Sequence, residues 1–112
     1  MTKNNDLNEE QLTKATGGTE SQIDEAYYVL MKCKLKADIF CIPVKEEQYE
    51  DVYKLHRYVR LAYETNDIAD RKNNIRLALI YVDRVIKIYS SDSLLDDIKD
   101  LLLSAQRLLE EN

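Results

Sequence analysis

Two cysteines and a single histidine are the residues of this chain whose chemistry could be catalytic or metal-binding. A thiol beside an imidazole, with a carboxylate to orient the ring, makes a nucleophile and its base. Cys33, Cys41 and His56 supply the residue types, but no nucleophile motif surrounds them. His56 lies between Leu55 and Arg57, a setting that predicts a partly exposed residue at the edge of a helix bundle. Cys33 and Cys41 are eight residues apart, which is roughly 12 Å along one straight helix. A disulfide needs Cα atoms about 4.4–6.8 Å apart, so a bridge would require the helix to break before Cys41. Otherwise both thiols pack as small hydrophobes. Two Cys and one His do not complete a structural zinc set. The expectation is a chain that is not an enzyme, with no metal and no cofactor.

A different kind of chemistry is written near the N-terminus. The chain has only two glycines, and they are adjacent, at Gly17 and Gly18. Counting back from Gly18 as position −1, Ala15 is −4, Leu12 is −7 and Leu7 is −12, with Glu9, Glu10 and Gln11 between the leucines. On a short helix Leu7, Leu12 and Ala15 fall on one side, where a shallow apolar groove can take all three. Two residues without side chains then let an extended backbone thread a narrow cleft, where a Cβ branch would collide with the walls.

This arrangement resembles the double-glycine leader of bacteriocin and related peptide precursors, and the resemblance covers 18 of the 112 residues. It departs from the common pattern at −4, where Ala15 replaces a bulkier aliphatic residue, and at −8, where Gln11 replaces an acid. The resemblance implies recognition through Leu7, Leu12 and Ala15, and cleavage after Gly18 by the cysteine-peptidase domain of a peptidase-containing ABC exporter. It divides the chain into a leader, 1–18, and a helical cargo domain, 19–112. The protein would be synthesised in the cytoplasm and secreted after leader removal, meeting the membrane only through the exporter.

The elements behind this junction are legible as helices. Average usage would supply roughly 8 glycines in a chain this long, and with two glycines and one proline a turn-rich β fold lacks the residues its tight turns require. Gly-rich phosphate loops are excluded for the same reason. Residues 1–18 carry only Met1, Leu7, Leu12 and Ala15 as apolar side chains, too few to order the segment by burial, which predicts a flexible leader. Thr19 and Gln22 then form a capping box. Ile23, Ala26, Leu30, Cys33, Ala37 and Phe40 recur at helical intervals until Pro43, which predicts a helix over about 20–41.

A second helix is expected from Val44 or Lys45, with Val52, Leu55, Val59 and Ala62 inward and Thr65-Asn66-Asp67 as its stop. Ile75, Leu79, Val82, Ile86 and Tyr89 stripe a third, widened by Ala78, Tyr81, Val85 and Ile88. A helix this apolar should touch two or more neighbours. After the Ser90–Ser93 turn, Leu94, Ile98, Leu101, Ala105 and Leu108 form the fourth stripe, beside Leu95, Leu102 and Leu109. Short connections favour antiparallel neighbours. The predicted fold is all-α, an antiparallel four-helix bundle preceded by the leader.

Charge narrows the partners. Sixteen Lys and Arg against 21 Asp and Glu give a net charge of −5, with no basic stripe of the kind that binds nucleic acid. The chain contains no apolar run long enough to span a bilayer, and its N-terminus lacks the apolar core of a general secretory signal. Tyr27, Tyr28, Tyr49, Tyr53, Tyr58 and Tyr63 gather on the first two helices, a hairpin that offers a protein interface. The competing functional reading is a cytosolic four-helix-bundle interaction protein, such as a bacteriocin immunity-type protein, which would have no need of a leader.

Overall fold

The computed structural model of the protein describes residues 20–45, 47, 49–90 and 92–110. They form four helices: α1 (Glu20–Cys41), α2 (Glu50–Glu64), α3 (Ile68–Ile88) and α4 (Ser93–Glu110). Each helix packs against its neighbours in sequence, and α4 returns to pack on α1, closing a ring. The direction of packing is fixed by named contacts. Tyr27 near the start of α1 stacks on Tyr63 at the end of α2, while Asp38 near the end of α1 meets His56. Asp51 pairs with Arg84 and Tyr58 with Tyr81, so α2 and α3 also run in opposite directions. Lys99 of α4 reaches Asp83 of α3. The bundle is antiparallel throughout, as its short connections require.

The core follows from the inward stripes. Ala26, Leu30, Cys33 and Ala37 of α1, Val52, Leu55, Val59 and Ala62 of α2, and Ile75, Ala78, Val82 and Val85 of α3 are all buried. Each large aliphatic side chain buried this way contributes about 1.5–3 kcal/mol. As its breadth of apolar surface demanded, α3 packs on both α2 and α4. On α4 the phase differs from expectation. Leu95, Ile98, Leu102, Ala105 and Leu109 point inward, while Leu94, Leu101 and Leu108 are only partly covered. Both rows are leucine, so which one turns inward is decided by where α1 and α3 sit.

The second correction concerns the start of α2, expected at Val44 or Lys45. Past Pro43 the chain turns instead, with Val44 N–H donating to Cys41 O at 3.2 Å and Lys45 N–H donating to Ile42 O at 3.2 Å. Lys45 then takes a left-handed backbone, φ 60°, which no right-handed helix can pass through. The helix resumes at Glu50, with Glu50 and Asp51 in its first turn, where negative charge suits the dipole. Downstream, Asp67 caps α3 by accepting from Ala69 N–H at 2.9 Å, and Asp92 caps α4 by accepting from Leu94 N–H at 2.8 Å.

Candidate functional site

The leader residues Leu7, Leu12, Ala15, Gly17 and Gly18, together with the expected cap Thr19, lie outside the described residues. What the structure places is the far side of the junction. Among the described residues the first helical one is Glu20, so the four described helices lie C-terminal to the Gly17-Gly18 pair.

The polar groups inside the bundle form two clusters. In the first, His56 is not the partly exposed edge residue that its sequence neighbours predict: it is 6% exposed. Its Nε2 donates to Asp38 Oδ1 at 2.6 Å, and Lys34 Nζ lies 3.0 Å from the other oxygen of the same carboxylate. The partner comes from α1, which is why α2's own sequence gave no sign of burial. Partial burial pushes the Asp38 carboxyl up, but the hydrogen bonds and positive charge of His56 and Lys34 outweigh it and hold its pKa below the ordinary carboxylate value. A depressed carboxyl stabilises the fold above the unfolded value of about 4, and that stability is lost as pH falls through the lower folded value. In urea titrations the native chain should exceed Asp38→Asn by about 1 kcal/mol at pH 5, and the gap should close progressively below pH 4. A gap that stays constant to pH 2 would contradict this assignment.

In the second cluster Arg71, also 6% exposed, spans the end of α2. Its Nε donates to Ala62 O at 2.8 Å, and one terminal nitrogen donates to Tyr63 O at 3.2 Å and to Thr65 O. The last carbonyls of a helix have no partner within it, and a guanidinium fork matches several at once. Tyr27 lies under the guanidinium, 5.8 Å from ring centroid to Cζ, and its hydroxyl donates to Tyr63 at 3.2 Å. Burial lowers the Arg71 pKa, yet arginine remains charged at any ordinary pH. This cluster joins α1, α2 and α3 at one end of the bundle. Its sequence signal was phase alone: Arg71 sits four residues before Ile75, on the inward row of α3.

The thiols are structural in geometry. Both cysteines are buried and neither is in a disulfide; α1 runs unbroken through both of them, so the condition for a bridge is not met. The Cys33 thiol donates to Ile98 O of α4 at 3.7 Å, and burial pushes its pKa up to about 12. Only the thiolate is a competent nucleophile. Alkylation of Cys33 in the native chain at pH 8, followed by peptide mass mapping, should be at least about 100-fold slower than in urea, because labelling must wait for opening of the bundle. Comparable rates in the two states would show that the thiol is accessible.

The tyrosines largely tie helices together. Tyr27 stacks on Tyr63 and Tyr58 on Tyr81, while Phe40 and Tyr49 both meet Tyr89 edge-on. Tyr28 and Tyr53 still present 59% and 42% of their surface, so the first hairpin keeps wet aromatic rings at its outer side. A depression beside the α3–α4 turn is lined by Ile88, Tyr89, Ser90 and Asp92, and the Asp92 carboxylate there is engaged in capping α4. Among the described residues no group of three or more His, Cys, Asp or Glu converges as a metal ligand set would, and no helix is long and apolar enough to cross a membrane. No protein-family model, curated protein or solved structure matches this chain.

Proposed function

We propose that the chain is the precursor of a secreted helical, bacteriocin-like protein. It is a substrate rather than an enzyme: a peptidase-containing ABC exporter recognises Leu7, Leu12 and Ala15, and its cysteine-peptidase domain cuts after Gly18 during secretion. The observation that carries this reading is the coincidence of two boundaries. The leader-like spacing ends at Gly18, and the described part of helix α1 begins at Glu20, so a cut there leaves every described helical residue in the cargo. The cargo of 94 residues carries a formal charge of −4. That is unlike a short cationic antimicrobial peptide, and it fits a larger folded cargo.

The direct test is incubation of the purified full chain with the peptidase domain of such an exporter, read by intact mass. The expected product is residues 19–112 with release of 1–18. Cleavage at any other bond contradicts the proposal. The immunity-type alternative, which the all-α bundle suits equally well, expects full-length protein retained in the cytoplasm and none in the medium.

A further inference from the structure

Both cysteines of the chain sit on one helix, α1, and both are fully buried. They are eight residues apart on unbroken helix, roughly 12 Å at 1.5 Å per residue. A disulfide brings Cα atoms to about 4.4–6.8 Å. No side-chain rotation closes that gap, so the backbone between the two cysteines must leave the helix. In an opened chain the same spacing favours a bridge, because a short loop closes at lower entropic cost than a long one.

The stretch that must unwind, residues 34–40, carries much of what fastens α1 to the bundle. Ala37 and Phe40 belong to the core, and the Phe40 ring meets Tyr89 edge-on, 5.3 Å between centroids. Asp38 meets His56 of α2 at 2.6 Å, and Lys36 reaches Asp97 of α4 at 3.4 Å. Cys33 itself donates to Ile98 O of α4. A bridge therefore removes contacts to α2, to α4 and to the end of α3 together. It adds no atom to the protein and takes away two hydrogens, so its effect on the fold is one of geometry alone.

We infer that the folded bundle and a Cys33–Cys41 disulfide exclude one another, which makes the cysteine pair a redox-sensitive switch on folding. While the helices are closed, burial keeps both thiols from an oxidant. Once the chain has opened, a low-molecular-weight disulfide such as glutathione disulfide supplies the oxidising equivalents. One cysteine thiolate attacks a sulfur of that reagent, and one glutathione leaves as its thiolate. The second cysteine thiolate attacks the protein sulfur of the mixed disulfide and expels the other glutathione. The two thiol protons pass through solvent to the departing glutathiones. Two protein thiols and one glutathione disulfide thus give one protein disulfide and two glutathione thiols. The bridged chain cannot rebuild α1 until a thiol reductant reverses the exchange. None of this depends on the leader.

The test is equilibration of the full chain at pH 8 in graded glutathione redox buffers, with and without urea. Acid quenching and peptide mass mapping quantify the bridge, and gel filtration separates it from disulfides between chains. Without urea, half-conversion should need a buffer at least about 100-fold more oxidising, as the ratio of glutathione disulfide to the square of glutathione, because the bridge must wait for opening. Bridged monomer prepared in urea and returned to buffer should lose most of its circular dichroism helix signal and its cooperative melt. Dithiothreitol should restore both. Half-conversion at the same buffer ratio in the two conditions overturns the inference. A bridged monomer that melts like the parent chain overturns it as well. So does a chain that forms no bridge even in urea, or one that does not refold after reduction.

Discussion

Replacing Arg71 with alanine is expected to lower the unfolding free energy of the chain by about 2–4 kcal/mol. For a domain of this size that corresponds to a fall in melting temperature of roughly 10–25 °C. The reasoning starts from the carbonyls of Ala62, Tyr63 and Thr65, which the guanidinium satisfies at the end of α2. Hydrogen bonds to a charged donor contribute about 1.5–3 kcal/mol each. They do not add fully here, because carbonyls at a helix end regain some water once the side chain is gone. The aliphatic stem of Arg71 is also buried, and its packing is lost with the charge. Arg71→Lys should recover less than half of the loss, since one ammonium cannot span three acceptors as a planar fork does. Thermal unfolding followed by circular dichroism measures both. A change under about 0.5 kcal/mol for Arg71→Ala, the size of an ordinary surface substitution, would mean that the cluster is not a fastening point.

The second large effect concerns processing. Gly18→Val should slow cleavage by the exporter's peptidase domain by about 100-fold or more. The branched Cβ keeps the scissile carbonyl from reaching its position in a narrow cleft, and a misplacement of about 1 Å is enough for a loss of that order. Leu12→Asp acts at a different step. It removes an apolar anchor whose burial is worth about 1.5–3 kcal/mol and adds a charge, so its effect should fall on KM while kcat is kept. The two variants therefore separate recognition from chemistry. All the described helical residues, from Glu20 onward, are unchanged in both variants, and melting curves should match the parent chain. Cleavage of Gly18→Val at the parent rate would remove the basis for the leader.

The elements were legible where a local rule decided them. The end of α1 was fixed by Pro43, and the inward rows of α1 and α2 by apolar spacing. The start of α2 was not, because the left-handed turn at Lys45 is an unusual conformation for lysine and leaves no mark in composition. On α4, two leucine rows of equal quality could not be ranked until their neighbours were in place. His56 and Arg71 were misjudged or missed for one shared reason. Each is a polar residue whose burial depends on another helix, through Asp38 18 residues away and through carbonyls 6 to 9 residues away. The leader residues are the reverse case, legible only as sequence.

A folded bundle sets a condition on export. A domain of ordinary stability holds about 5–15 kcal/mol against unfolding, and a chain passing through a narrow transporter must first lose its ring of helices. Under the proposed export route, the clusters at Arg71 and Asp38 would form in full only once the chain has crossed.

The central claim is that Gly18 ends an address and Thr19 begins the product. It is tested most directly by N-terminal sequencing and intact-mass measurement of this protein recovered from the medium of producing cells, with the cytoplasmic fraction measured alongside. The account predicts a secreted species that begins at Thr19 and carries the mass of residues 19–112. Full-length protein confined to the cytoplasm, with none of the shorter species outside, would contradict it.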